Sequence, residues 1–300
     1  MINDITKTIK AFLHFLKSPR DRFSEPVNAT DRYRIFTVLF FAAILFNVIV
    51  ILPVLSLVDY YVLDVEHKGR LRPQTIWFML FLAAVAAPLW EEFVFRFPLK
   101  TERNYLVLLA DKIARRPLFS SFWQRNFKII FYLVAVLFGL IHSLNFENEW
   151  NWLFILLLPI LILSQSVTGL FLGYIRLRLG FIWAVIFHAC FNFVLITVPY
   201  LVYQNTELIN IKTANYELRI EGLFCMDSDT SSITHDKHND KIFMIKSTNT
   251  DLQFLIEATI GQGYDVKDDE LVHFYFKSEK GMTEQELINL LKKEFEISEK

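Results

Sequence analysis

The chain has 300 residues, 53% of them hydrophobic and 30 of them Phe, with a mean hydropathy of +0.33 and a formal net charge of −1. That composition excludes a disordered or nucleic-acid-binding chain and is too apolar for an ordinary soluble enzyme. The small net charge hides two unlike parts: through Tyr203 there are 20 Lys and Arg against 13 Asp and Glu, and from Gln204 onward 11 against 19.

The first 34 residues are basic and too polar to be a secretory signal peptide. Within them Ile5, Ile9, Phe12, Leu13 and Leu16 fall at helical spacing among Lys7, Lys10 and Lys17. This pattern predicts an amphipathic helix at the membrane interface, with a solvent-exposed leader as the alternative. About 20 apolar residues cross the hydrocarbon layer. Five runs meet or approach that length: Ile35 to Val58, Ile76 to Trp90, Ile129 to Phe146, Trp152 to Ile175, and Phe181 to Tyr203. Asn104 to Ala114 reads as a further short helix lying on or dipping into the membrane. Cations crowd the segment before the first run and the segment from Arg96 to Lys128, whereas Glu147 and Glu149 mark the next turn. By the positive-inside rule the N-terminus is cytoplasmic. The loop with Lys68, Arg70 and Arg72 is mixed and decides little.

Beyond Thr206 the pattern changes. Tyr216–Leu223, Lys241–Lys246 and Leu271–Lys277 read as strands. Leu252, Leu255, Ile256 and Thr259 share a helix face that stops at Gly261, and Thr283 with Glu286 forms a capping box before a helix from Glu284 to Phe295. His235, Asp236, His238 and Asp240 cluster in what reads as a polar loop. Cys190 and Cys225 lie far apart and form neither a disulfide framework nor a zinc motif. The expected fold is an all-α polytopic membrane bundle of about five to six transmembrane helices with a small C-terminal α+β domain. Its divisions are a basic leader (1–34), a transmembrane domain (35–203) and an acidic soluble domain (204–300).

Polar groups in membrane spans are costly and call for a reason. Three constellations carry them. In Glu91-Glu92-Phe93-Val94-Phe95-Arg96, Glu92 and Arg96 are four apart and can pair, which leaves Glu91 free. In Phe138-Gly139-Leu140-Ile141-His142, Phe138 and His142 share a face, and Gly139 allows another helix to approach. In His188-Ala189-Cys190-Phe191-Asn192, His188 and Asn192 share a face. A desolvated carboxylate beside a His can deprotonate water, and an amide with a second imidazole can donate to an oxyanion. Water activation with oxyanion stabilisation is the equipment for amide hydrolysis. The chain has no HExxH, no GxSxG and no intramembrane Asp pair. Glu91, His142 and His188 could instead hold a divalent metal such as zinc, so a metal-bound water stays open.

In this order and setting the three motifs resemble the CPBP family, which comprises the CAAX prenyl endopeptidases and the bacteriocin-processing proteases. Its pattern is EExxxR, FxxxH and HxxxN or HxxxD, and Gly173-Tyr174-Ile175-Arg176 is also similar to it. The resemblance covers roughly Pro88 to Pro199. It implies an intramembrane endopeptidase in which Glu91 with His142 activates water, His188 with Asn192 forms the oxyanion hole, and Glu92 with Arg96 supports the site. A mechanism without metal suffices for these residues. The implied partners are the lipid bilayer of the cell membrane and a peptide or membrane-protein substrate, with no nucleic acid. Phe97-Pro98 stands where the family commonly has a Gly, and the acidic tail is foreign to it. The rival readings are a non-catalytic binding, immunity or signalling factor acting through the pocket or the tail, and a proton-coupled transporter.

Overall fold

The computed structural model describes residues 2–23, 26–65, 74–267 and 269–300. The loop cations Lys68, Arg70 and Arg72 lie outside the described residues. The chain divides into two compact units, one made of 1–68 with 82–193 and the other of 69–81 with 194–300. Five helices among the described residues are long and apolar enough to cross a membrane. Following α1 (Ile2–Lys17), they are α2 (Ala29–Tyr61), α3 (Ile76–Leu99), α6 (Phe127–Asn145), α7 (Trp152–Arg178) and α8 (Phe181–Tyr203). Between α3 and α6 stand two short helices, α4 (Tyr105–Ala114) and α5 (Leu118–Arg125). The protein is a multi-pass membrane protein with a C-terminal β-rich region.

Several helices outrun their apolar cores. Asn28 caps α2 by accepting from the Asp31 N–H at 2.8 Å, which adds a polar first turn to the apolar run. More consequentially, α3 does not end at Trp90 but carries Glu91, Glu92 and Arg96 within the helix. It contains two π-helical turns, Leu82–Ala86 and Glu92–Arg96, and α2 contains a third at Asn47–Ile51. Each stops two residues before a proline: Pro53, Pro88 and Pro98. A proline ring clashes with the carbonyl four residues back and offers no N–H, and widening the preceding turn relieves that clash. The prolines thus set where these helices deform.

The leader forms a helix, α1. Its apolar face packs into the bundle: Phe12 stacks on Phe171 at 4.5 Å, and Phe15 meets Phe131 at 5.2 Å and Tyr174 at 5.0 Å. Only Ile5 and Leu13 of that pattern stay exposed. The predicted helix near 104–114 is α4, and α5 was not foreseen. The turn between them takes Arg115 into the left-handed region (φ 53°), and the Asp111 carboxylate accepts the Phe119 N–H at 2.7 Å.

The helices α6 and α7 pack closely because glycines line the contact. A Cβ on Gly139 would lie 2.1 Å from Ser166 Oγ, and one on Gly173 would lie 2.6 Å from the Phe131 ring. These small positions let the backbones approach, as membrane helices without a hydrophobic driving force between them require.

In the second unit, β1 (Thr206–Lys212), β2 (Tyr216–Leu223), β3 (Ser232–His238), β4 (Lys241–Asp251) and β6 (Leu271–Met282) form an antiparallel sheet of order β1-β2-β6-β4-β3. A small pair joins β5 (Tyr264–Val266) to β7 (Ile297–Glu299). Helices α9 (Leu252–Thr259) and α10 (Glu284–Leu291) share one core with Leu218, Ile220, Ile245, Phe274 and Phe276 of the sheet. The capping box of Thr283 and Glu286 is formed. One sequence reading is corrected: His235, Asp236 and His238 stand on the edge strand β3, not in a loop. Its residues are mostly solvated on both faces, so the alternation that announces a strand is missing. The turn that follows, Asn239 (φ 49°) and Asp240 (φ 56°), has the two positive φ values of a tight hairpin.

Candidate functional site

The three constellations lie on α3, α6 and α8, all within the first unit. Glu92 and Arg96 are fully buried, with Arg96 Nη1 3.5 Å from Glu92 Oε1. The Arg96 guanidinium also lies 3.7 Å over the Phe138 ring of α6. A cation over an aromatic face is attracted by the ring quadrupole, and more strongly where water is absent. Gly169 of α7 leaves room for this group, since a Cβ there would lie 3.1 Å from Arg96 Nη2.

His188 of α8 joins the pair from the opposite side. Its Nδ1 is 3.1 Å from Glu92 Oε1 and its Nε2 is 3.7 Å from Glu91 Oε2. Glu92 therefore holds one ring nitrogen by a hydrogen bond while the other faces Glu91. The pairing foreseen for Glu92 and Arg96 is present, and Glu91 is indeed separate from it. Glu91 is also the more accessible acid, with a side chain 22% exposed against none for Glu92. Among the described residues Glu91 Oε2, Glu92 Oε2 and all three Arg96 side-chain nitrogens lack a hydrogen-bond partner. Leaving a buried donor or acceptor unmet costs about 1–3 kcal/mol each, more when charged. Their concentration in one place marks a candidate site.

His142 and Asn192 sit around this cluster. The His142 Nδ1 donates to the Phe138 carbonyl at 2.7 Å, which leaves its Nε2 as the available nitrogen. The Phe138 ring contacts both imidazoles, with centroids 4.8 Å from His142 and 5.8 Å from His188. The Asn192 amide donates one hydrogen to the Ala83 carbonyl at 2.8 Å. In a π turn that carbonyl faces the nitrogen of Pro88, which has no hydrogen to give, so Asn192 supplies the bond that the proline cannot. One amide hydrogen of Asn192 remains for other use.

The structure adds a residue whose role the sequence left unassigned. Arg176 of α7 is buried and donates through Nε to the Arg96 carbonyl at 3.1 Å and through Nη2 to the Phe97 carbonyl at 3.2 Å. It ties down the end of α3, where Pro98 interrupts the helix. Its signals in the sequence were its place just past the apolar run that ends at Ile175 and the family-like stretch Gly173-Tyr174-Ile175-Arg176.

A metal was the open alternative for Glu91, His142 and His188. Among the described residues no three His, Cys, Asp or Glu side chains are grouped to hold a metal ion.

Residues 73–194 match the family of type II CAAX prenyl endopeptidase Rce1-like proteins. No curated protein and no solved structure matches the chain. The matched stretch contains all three motifs and Arg176, and leaves the leader and the C-terminal sheet outside. The membrane-spanning segment from 73 to 194, which gathers its ordered motifs around one buried acid–imidazole cluster, is similar to the Rce1-like CAAX prenyl endopeptidase family.

Proposed function

We propose that the chain is an intramembrane endopeptidase that hydrolyses a peptide bond with a glutamate-activated water. One observation carries this reading: the buried, unpartnered Oε2 of Glu91, facing His188 Nε2 at 3.7 Å. In this mechanism Glu91 takes a proton from water while the water oxygen attacks the scissile carbonyl carbon, with the free Nε2 of His142 orienting the water. In this mechanism His188 is an imidazolium, with its Nδ1–H on Glu92 and its Nε2–H donating, together with the second amide hydrogen of Asn192, to the oxyanion that forms. When the intermediate collapses, the C–N bond breaks and Glu91 returns its proton to the leaving amine. Glu92 fixes the His188 ring through Nδ1, and Arg96 offsets the charge of the two acids. The motif order and the family match support these roles. The cation asymmetry of the loops supports a cytoplasmic N-terminus in the cell membrane.

The test is cleavage of a membrane-peptide library, with prenylated members, by the purified full chain in detergent. Glu91→Gln keeps the shape but removes the base, so turnover falls by about 10²–10⁴-fold while the unfolding temperature holds. A chelator leaves the wild-type rate unchanged. Equal cleavage by the variant would overturn the role of Glu91. Cleavage by neither folded protein would favour the non-catalytic binding factor.

A further inference from the structure

The first unit has a second polar feature that the proposed chemistry does not use. Between α1 and the end of α7 lies a cavity of about 320 Å³. Its floor is aromatic: Phe15, Phe23 and Tyr174 are in mutual contact, with ring centroids 5.0–5.9 Å apart. His14, Arg20 and Arg178 line it as well, and the Arg178 guanidinium lies 4.8 Å over the Phe23 ring. Among the described residues that line it there is no carboxylate. Nearby cations are neutralised: Arg22 pairs with Glu102 at 3.3 Å, and Arg34 with Asp31 at 2.5 Å. Arg20 makes no ion pair among the described residues, so its charge is left at the cavity.

The position is as telling as the charge. Arg178 is the last residue of the span α7, which places it where hydrocarbon gives way to headgroups. The starts of α6 and α8 and the end of α3 meet at this same end: Tyr132 donates to the Leu16 carbonyl, Thr101 to Asp21, and Phe97 meets Phe181 at 5.5 Å. Lys100, Arg103, Arg125 and Lys128 flank those helix ends. Basic pockets between membrane helices at a cation-rich end suit anionic lipid headgroups.

We propose that this cavity binds the phosphate diester of an anionic phospholipid, with Arg20, Arg178 and His14 on the phosphate oxygens and the aromatic floor under the glycerol. The chemistry recognised is a phosphate oxyanion. A lipid is the source because a free, strongly hydrated phosphate gains nothing from a floor of Phe15, Phe23 and Tyr174, whereas a lipid brings apolar atoms to that depth.

The experiment is native mass spectrometry and thermal unfolding of the full chain in detergent, titrated with dioleoylphosphatidylglycerol, dioleoylphosphatidylcholine or inorganic phosphate. The expected result is one saturable phosphatidylglycerol per chain with a rise in unfolding temperature, and no matching adduct with phosphatidylcholine. Arg20→Gln removes an exposed cation and weakens binding about fivefold; with Arg178→Gln added the loss is roughly 30-fold. Lys at both positions retains most of the affinity. Equal binding by wild type and Arg20→Gln, or equal uptake of the two lipids, would overturn the proposal. Stabilisation by millimolar phosphate that also displaces the lipid would replace the lipid with a small free anion.

Discussion

The two units use charge in opposite ways. In the C-terminal unit the core is Leu, Ile, Val and Phe, and the ion pairs, such as Lys237 with Glu284 and Lys300 with Glu257, lie on or near the surface. Such exposed pairs contribute little to stability and leave almost nothing unmet. In the bundle, Glu92, Arg96, Arg176 and His188 are buried, and the Glu91–Glu92–Arg96 group keeps atoms without hydrogen-bond partners. A fold that only needed stability would fill that space with apolar side chains, because desolvating charges often costs more than their pairing returns. The contrast sets a bundle with buried charge beside a sheet unit with an apolar core.

Glu91→Gln, described above, is the largest expected break in that contrast. Next, Asn192→Ala removes the donor assigned to the oxyanion and also leaves the Ala83 carbonyl unmet. Turnover should fall about 10²–10³-fold in the peptide-cleavage assay. A drop confined to unfolding temperature, with the rate per folded molecule unchanged, would reduce Asn192 to a helix tie. Third, Gly173→Ala forces a methyl against the Phe131 ring, and the bundle should lose about 1–3 kcal/mol in denaturant unfolding of the full chain. A neutral result would show that the α6–α7 contact yields more easily than its distances suggest.

The sheet unit should respond more quietly. Thr283→Ala removes the cap of α10 and costs that helix about 1 kcal/mol, read by hydrogen exchange, while peptide cleavage continues at the wild-type rate. The same cap sets an acid response. The Thr283 backbone N–H, then its hydroxyl, hold the Glu286 carboxyl below the usual carboxylate range. A depressed folded pKa adds stability above the unfolded value near about 4.3, and that stability is lost as pH falls through the lower folded value. Protection of α10 should therefore decline as the solution is acidified below about pH 4, and Thr283→Ala should flatten that decline. If both proteins lose protection along one curve, Glu286 has no part in it.

Much of this organisation was legible in the residues. Five apolar runs announced five spans, because a helix must match the thickness of hydrocarbon it crosses. Polar residues at spacing four announced the buried polar cluster, because they are expensive in lipid unless they meet something. Strands β2, β4 and β6 were visible from their composition, since they lie at or next to the core of the sheet. Edge strand β3 was not, because a strand solvated on both faces has no reason to alternate. Nor could the apolar face of α1 show whether it meets lipid or protein, since both are greasy to the sequence.

By itself the sequence determined the number of spans, the identity of the buried polar groups, and the three prolines that fix where α2 and α3 loosen into π turns. These follow from local rules: length, desolvation cost and a missing N–H. Only the tertiary structure decided which imidazole faces Glu91, what Asn192 holds, and that Arg176 secures the end of α3. Those pairings join residues about 80 to 110 positions apart, and their geometry is set by helices packing across glycines, which no local pattern encodes.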